Sequence, residues 1–340
     1  MPSLPRTSRV VQLADLPDGL PGPEHFGVVE VPMPVPGDGE ALVRNRYFQV
    51  FPSLRTLIGG GVKGTPFPPL RPGDTLFGAA IGEVVSAPRD AGLRPGDLVR
   101  HWLGWREHAV MPADQCTPLD GALPDPVAHL SQAGVAYTAL TRDARVRPGD
   151  TVFVSGGAGG VGSLAGQVAR LLGAGRVIGS TGSPGKAARL VSELGYDAAV
   201  IRGGRPVAEQ LAEAAPDGID VFVDNVGGEQ LQAAIGAATP GARFVLVGTL
   251  AGQLAPNLAG TTAPVEVDTF QLIAKRIEMR GFGGLDGTGP RPEWAERVGA
   301  WLRSGDITFP HVRVAGIENA PRALHELISG RHLGAVIVEL

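Results

Sequence analysis

The stretch TVFVSGGAGGVGSLAGQVARLLGA, residues 151–174, decides the fold. It opens on an apolar run, Val152 to Val154, and passes into a cluster of Gly and Ala. A helical pattern follows, with Leu164, Val168, Leu171 and Leu172 at i, i+4, i+7 and i+8. Strand, glycine turn and helix in that order bind the pyrophosphate of a dinucleotide. Gly159 and Gly162 stand where a Cβ would block the turn or the ligand. The first amides of the helix point at the phosphates, and the helix dipole favours their charge. Glycine fills 50 of 340 positions, so the pattern by itself is a weak signal. Its setting strengthens it, because further strand–helix pairs follow downstream.

Those pairs read as strands at Val152–Val154, Arg176–Gly179, Ala198–Ile201, Asp220–Val223, Phe244–Val247 and Arg276–Met279. Helices start near Val161, Ser183, Val207 and Gly228. The second helix is well marked: Ser183 caps it, Pro184 fits its first position and Gly195 ends it. Such alternation predicts right-handed βαβ units in a parallel sheet covered on both faces, the α/β doubly wound Rossmann class.

Upstream the rhythm differs. Phe26–Val31, Glu40–Arg46, Ala79–Ser86 and Leu98–Val99 are short β-like runs, separated by turns such as Pro36-Gly37-Asp38, Pro72-Gly73-Asp74 and Pro95-Gly96-Asp97. They predict an antiparallel, β-barrel-like domain. Asp125-Pro126 then opens a helical region through Leu130 toward Leu140. Near the end come a helix with Trp294, Val298, Trp301 and Leu302 on one face, a strand at His311–Val314, a helix through Leu324 and Leu327, and a strand at Gly334–Leu340. That last strand has barrel character, so the tail is expected to rejoin the first domain. The expected division is 1–125 with 305–340 for the barrel, and 126–304 for the dinucleotide-binding unit.

Composition narrows the function classes. A length of 340 residues suggests two domains. The net charge of −4 comes from scattered residues with no basic face, so nucleic acid is not expected as a partner. The single cysteine, Cys116, excludes an intramolecular disulfide and a cysteine-rich zinc site. No apolar stretch reaches the roughly 18–20 residues that span a bilayer. The N-terminal residues carry prolines and no apolar signal core. A cytoplasmic enzyme with a small-molecule substrate is the expectation.

The second strand selects the cofactor. In NAD sites an acid about 20 residues beyond the glycines grips the ribose 2′-hydroxyl. Here the strand runs into Gly179-Ser180-Thr181-Gly182-Ser183, with no acid, and Lys186 follows. Small hydroxyls at Ser180 and Thr181 with a cation at Lys186 suit a 2′-phosphate, so NADPH is expected. A lysine on a solvated helix face is the plainer alternative. Asn225, in Asp224-Asn225-Val226-Gly227-Gly228, ends the fourth strand and is placed to bond the nicotinamide ribose or carboxamide, or to cap the next helix. Gly248 ends the following strand, and Phe282 follows the sixth, either to pack on the ring or to fill the core. No metal is expected: Cys116 stands alone, and His101 and His108 read as ordinary histidines. Ser155, Ser163 and Ser180 lack a nucleophile elbow, which disfavours a hydrolase.

At this point the chain resembles the zinc-independent medium-chain dehydrogenases/reductases, and within them the NADPH-dependent alkenal/enone reductases. The matching stretches run from Gly96-Asp97 to Gly104-Trp105-Arg106-Glu107, through Gly134 to Tyr137, Ser155–Gln167, Gly182 to Lys186, Pro216-Asp217-Gly218, Asp224 to Glu229, Arg276 to Phe282 and Leu333-Gly334, with Val336-Ile337-Val338. The resemblance implies a chaperonin-10-like barrel beside a Rossmann domain, a cofactor in the cleft between them and a homodimer. It places Gly159, Gly160, Val161 and Gly162 at the pyrophosphate and Lys186 at the 2′-phosphate. Arg202 falls where a tyrosine near that phosphate is common, Asn225 on the nicotinamide side, and His332 where an asparagine touches the cofactor.

The chain also departs from the family. An Asp-Pro-Tyr-x-Arg pattern is usual in the first domain, and this chain reads Phe51-Pro52-Ser53-Leu54-Arg55. A second family tyrosine falls near Ala274. With both phenols gone, Ser53, Arg55, Tyr47 or Tyr137 would have to serve the substrate, beside the cofactor ribose hydroxyl. Trp102 and Trp105 are candidates to line the pocket. The leading expectation is an NADPH-dependent, zinc-free reductase of an activated C=C in an enone or enal. A quinone reductase of the same superfamily and a non-redox biosynthetic protein, such as a cyclase, are the alternatives.

Overall fold

The computed structural model describes residues 4–63, 67–283 and 293–340. In the first part, β1 (Thr7–Leu13) and β2 (Phe26–Pro32) form an antiparallel pair. The strands β3 (Glu40–Val50), β4 (Ala80–Ser86), β5 (Leu98–His101), β6 (His108–Pro112) and β7 (Thr117–Pro118) build the barrel-like sheet, with the short helix α1 (Leu54–Ile58) leaving the end of β3. The expected starts at Phe26, Glu40 and Leu98 hold, the strand read from Ala79 begins at Ala80, and β1, β6 and β7 were not anticipated. β3 runs four residues further than read, because Tyr47 to Val50 stay paired with the last strand of the chain. The helical region after Asp125 is broken. A 3₁₀ turn at Pro126–Leu130, capped by the Asp125 side chain, gives way at Ser131-Gln132 to α2 (Ala133–Thr138).

The alternating part supplies β8 (Thr151–Val154), α3 (Gly162–Leu171), β9 (Arg176–Thr181), α4 (Pro184–Glu193), β10 (Ala198–Ile201), α5 (Val207–Ala214), β11 (Ile219–Asp224), α6 (Glu229–Ala237), β12 (Ala238–Leu246), α7 (Leu250–Gln253), α8 (Thr269–Lys275) and β13 (Glu278–Gly281). All pairs are parallel, in the order β10-β9-β8-β11-β12-β13. Crossovers run outward from β8 in one direction and from β11 in the other. A crevice therefore opens above the carboxyl ends of β8 and β11, where such sheets bind ligands. The sixth strand starts two residues later than read, since Arg276 is the left-handed cap of α8 at φ 52°.

Burial explains the sheet. Val152, Phe153 and Val154 are fully buried, as a doubly covered parallel strand requires. Phe153 stacks on Phe222 with ring centroids 5.1 Å apart, and Phe222 meets Phe244 edge-on at 5.2 Å. Three adjacent strands are thus tied by one aromatic row, each ring contributing about 2–3 kcal/mol of burial. Above the sheet, α3 comes unusually close to Tyr196, because Gly166 carries no Cβ to strike its ring. The Tyr196 hydroxyl donates to the carbonyl of Gly162 at 2.7 Å.

After α9 (Trp294–Ser304), β14 (His311–Ala315) and β15 (Ala335–Glu339) flank α10 (Ala320–Ile328) and join the barrel sheet. The order there is β14-β15-β3-β4-β5-β7, with β6 also on β3. β15 is antiparallel to β3 and sits inside the sheet. No helix among the described residues is long and apolar enough to cross a membrane.

Candidate active site

The glycine turn follows β8 directly. Gly156 takes φ 63°, and its amide donates to the Ser180 hydroxyl at 2.9 Å. The Gly157 amide donates to the Ser180 carbonyl at 2.7 Å, and Gly159 to the Gly156 carbonyl at 2.9 Å. A Cβ on Gly162 would overlap the Gly156 carbonyl, so only glycine closes this turn onto α3. The amides of Gly160, Val161 and Gly162 have no protein acceptor among the described residues. Three free donors at the start of a ten-residue helix form an anion cradle.

Ser180 lies elsewhere than the sequence reading put it. β9 continues through Thr181, and Ser180 is fully buried beneath the turn. Its hydroxyl accepts from Gly156 and donates to the Gln230 side chain. It shapes the phosphate turn and is not free for a 2′-phosphate. Thr181 is also buried, with its carbonyl taken by the Arg202 amide at 2.9 Å. Ser183 caps α4 by accepting from the Lys186 amide at 3.3 Å.

Two cations meet beyond that cap. The Lys186 ammonium donates to the Gly330 carbonyl. Burial, and then the nearby positive charge of Arg202, hold its pKa below the usual lysine range. An Arg202 Nη stands 3.3 Å from where a Cβ on Gly182 would be. Neither cation has an ion pair with an acidic side chain among the described residues. Two uncompensated charges beside a phosphate cradle suit a doubly charged phosphate. His332 is placed nearby in sequence to Gly330, but its Nε2 is 3.0 Å from the Glu326 carboxylate. The backbone beside it is the closer partner of the turn: the Gly334 amide donates to the Ala158 carbonyl at 2.9 Å.

Across the crevice, Asp224 is buried at the end of β11. Its Oδ1 accepts from the Ser155 hydroxyl at 2.7 Å, the Val226 amide at 3.0 Å and the Gly227 amide at 2.8 Å. Burial outweighs these bonds and pushes its carboxyl pKa up. The Asn225 side-chain amide nitrogen donates to the Ser155 carbonyl at 2.7 Å, leaving Oδ1 as an acceptor with no partner among the described residues. The Gly248 amide donates to the Asp224 carbonyl at 3.0 Å, and a Cβ on Gly248 would press within 2.9 Å of the Asn225 carbonyl. Phe282 bonds back to Leu246 through its amide, and the Arg142 guanidinium lies 5.6 Å over its ring.

The substrate-side candidates separate. Ser53 is exposed, and its hydroxyl accepts from the Gln253 side chain at 3.2 Å, joining barrel and cofactor domain. Arg55 is buried at 4 % exposure with both Nη atoms bonded to main-chain carbonyls, Ala259 at 2.8 Å and Leu258 at 2.9 Å. It is therefore not a free donor for a substrate. Tyr137 lies in the core of the cofactor domain with its ring 6.1 Å from Trp301. Tyr47 sits under the Arg313 guanidinium at 5.6 Å. Ala274 is exposed on α8, which packs on β12 and α6, so the residue facing Ser53 is Gln253 instead. Trp105 is fully buried at φ 60° against Phe48, a structural turn residue. Trp102, half exposed, has its ring 5.4 Å from that of Phe67, which in turn stacks on Phe77 at 5.7 Å.

Gln49 and Gln132 escaped the sequence reading. The Gln132 amide donates to the Gln49 carboxamide at 3.0 Å, and its Cγ lies 3.5 Å from where a Cβ on Gly160 would be. No residue spacing announces a contact between a barrel strand and a linker 83 positions later. A polar residue in the apolar tail of β3 is the signal that was there to read.

The histidines and the cysteine do not fit a zinc centre. His101 Nδ1 accepts from the Leu103 amide at 3.1 Å, and His108 Nδ1 is 3.1 Å from the Ser8 hydroxyl. Cys116 is buried in an apolar cluster, where desolvation raises its thiol pKa. Among the described residues no three His, Cys, Asp or Glu side chains converge.

Residues 9–119 match the family described as the N-terminal domain of oxidoreductase, and residues 160–303 the family described as zinc-binding dehydrogenase. An NADP-dependent oxidoreductase of Bacillus subtilis (strain 168) is 33% identical over 337 residues, 97% of either chain. The 2-alkenal reductase (NADP(+)-dependent) of Nicotiana tabacum is 31% identical over 317 residues, 91% of this chain and 90% of that one. The structure of CurA from Vibrio vulnificus in complex with NADPH superposes with a TM-score of 0.87 at 30% identity, covering 97% of this chain and 98% of that one. The chain belongs to the zinc-independent medium-chain dehydrogenases/reductases, in their enone reductase subfamily.

Proposed function

We propose that this protein is an NADPH-dependent reductase of an activated C=C in an α,β-unsaturated ketone or aldehyde. The observation that carries the cofactor choice is the pair Lys186 and Arg202, with no acidic partner among the described residues, near the glycine turn whose Gly160, Val161 and Gly162 amides have no acceptor among them either. The alkenal reductase relative supports the substrate class. When bound, the nicotinamide supplies a hydride to the β-carbon. The turn from Gly159 to Gly162 would hold the pyrophosphate, and Thr181, Lys186 and Arg202 the ribose phosphate. Asn225 Oδ1 and the backbone at Gly248 would orient the nicotinamide, with Phe282 closing that end.

Negative charge then grows on the substrate carbonyl oxygen and needs a donor, worth about 3 kcal/mol when well placed. Ser53 and Gln253 carry the polar atoms that span the two domains there. A proton must also reach the α-carbon, and with no phenol at Ser53 or Ala274 it comes through a hydroxyl or water in the open crevice. The reading also carries the chain division 1–125 with 305–340 and 126–304, and a homodimer in the cytoplasm. Supporting the dimer, β13 pairs only with β12 among the described strands, and α8 beside it exposes Phe270 and Ile273. Light scattering on the purified protein should give twice the chain mass; a monomer at micromolar concentration would rule the dimer out.

The activity test is direct. With NADPH and a panel of enones, enals and quinones, loss of reduced-cofactor absorbance is expected with enones and enals. Turnover of quinones alone would move the assignment to a quinone reductase. Tight NADPH binding without oxidation by any acceptor would end the reductase reading and favour a non-redox step.

A further inference from the structure

We propose that Arg55 is a positioning residue, which fixes residues 249–260 as a strap across the two domains and so sets the acceptor end of the crevice. This rests on the reductase reading above for its kinetic consequence, but not for its structural one.

The strap is tied at both ends. At its start, Leu250 and Ala251 donate their amides to the carbonyls of Asn225 and Val226, at 3.2 and 2.9 Å. Those residues belong to the loop on the nicotinamide side. Gln253 then reaches Ser53, and Leu254 packs against the barrel core. At its far end, successive carbonyls of Leu258 and Ala259 accept from the two Nη atoms of Arg55, and the Gly260 carbonyl accepts from the Thr56 hydroxyl at 2.8 Å. Gly59 makes the approach possible, since a Cβ there would overlap the Ala259 carbonyl. Gly260 takes φ 78° under the Arg55 stem. Arg55 itself sits three residues beyond Pro52, in the segment that carries Phe51 and Ser53.

A guanidinium is an expensive way to fill space. Burial lowers the Arg55 pKa, and among the described residues its Nε has no partner and its guanidinium makes no ion pair. An apolar side chain would pack there without leaving a buried N–H unmade. What the planar fork adds is registration: two parallel donors fix two consecutive carbonyls at once, which a point charge does not. The fork thus sets the distance between Ser53 and Gln253, while the phosphate-binding half of the site lies on other elements.

The test uses the NADPH-loaded protein. In Arg55→Met, hydrogen–deuterium exchange over residues 250–262 should quicken by about tenfold, with α3 and α4 unchanged. With an enone acceptor, kcat/KM should fall about tenfold or more while the NADPH Kd stays within about threefold. Arg55→Lys should not restore either property. Thr56→Val, which loses only the bond to Gly260, should move the strap exchange in the same direction by less. Unchanged exchange in the strap of Arg55→Met and Thr56→Val would overturn the proposal. So would full rescue by lysine, or a parallel rise of exchange in α3. An absence of enone turnover in the wild type would strike the functional reading alone, since the exchange data still decide the strap.

Discussion

Replacing Lys186 and Arg202 together by alanine is expected to weaken NADPH binding by roughly a hundredfold to ten-thousandfold, while NADH binding changes by less than about threefold. Each cation offers a charge-assisted bond of about 1.5–3 kcal/mol to a phosphate oxygen, and every 1.4 kcal/mol is tenfold in affinity. The two side chains stand close enough for Arg202 to depress the Lys186 pKa, so one bound phosphate can reach both. NADH carries no phosphate at this position and owes them nothing. Titration of reduced-cofactor fluorescence against the wild type, each single variant and the double variant measures this. Loss of both cofactors in parallel would show that the substitutions damage α4 or the turn and that the phosphate lies elsewhere.

The second large effect is on acid stability. His101 ends β5 at 2 % exposure, its Nδ1 accepts from the Leu103 amide, and its Nε2 has no partner. Burial first, and then the charges of Arg106 and Arg100, hold its pKa down at about 3. The unfolded chain binds a proton near pH 6.5 that the folded chain refuses. Stability is therefore unaffected above pH 6.5 and falls as the pH drops from there toward 3. The slope approaches 1.4 kcal/mol per pH unit, or about 2–3 kcal/mol lost by pH 4.5. His101→Gln keeps an acceptor for the Leu103 amide and does not titrate. Urea unfolding at pH 7 and pH 4.5 should show the wild type losing about 2–3 kcal/mol more than this variant over that interval. Parallel losses in the two proteins would mean that other groups carry the acid limb.

The sequence made the cofactor half of the molecule legible, because its signals are local. A β-branched run, a glycine turn and an amphipathic helix lie within 24 residues, and Ser183, Pro184 and Gly195 mark α4 at both ends. Ser180 was misplaced for a simple reason. Ending the strand at Gly179 releases Ser180 into the crevice, but β9 continues through Thr181. Strand alternation then turns Ser180 under the turn and away from the ligand. The acceptor half was less legible because its contacts join distant positions. Arg55 meets Leu258 and Ala259, Ser53 meets Gln253, and Gln49 meets Gln132. No local pattern encodes these pairs. The resemblance puts a missing family tyrosine near Ala274, on α8, while the residue that meets Ser53 is Gln253, which no local pattern marks.

The place of β15 has a consequence for how the protein is made. Residues 335–339 lie between β14 and β3, inside the barrel sheet. The strands of the cofactor domain emerge from the ribosome in one continuous block, and that sheet can close as it is synthesised. β3 cannot. At about 5–20 residues per second, the interval between Val50 and Glu339 lasts roughly 15–60 s, and through all of it the Tyr47–Val50 stretch of one β3 edge, beyond the part that β6 covers, waits unpaired. Its free edge is a template for any other strand nearby. The nascent barrel is thus open to mispairing until Ala335–Glu339 arrive to cover that stretch.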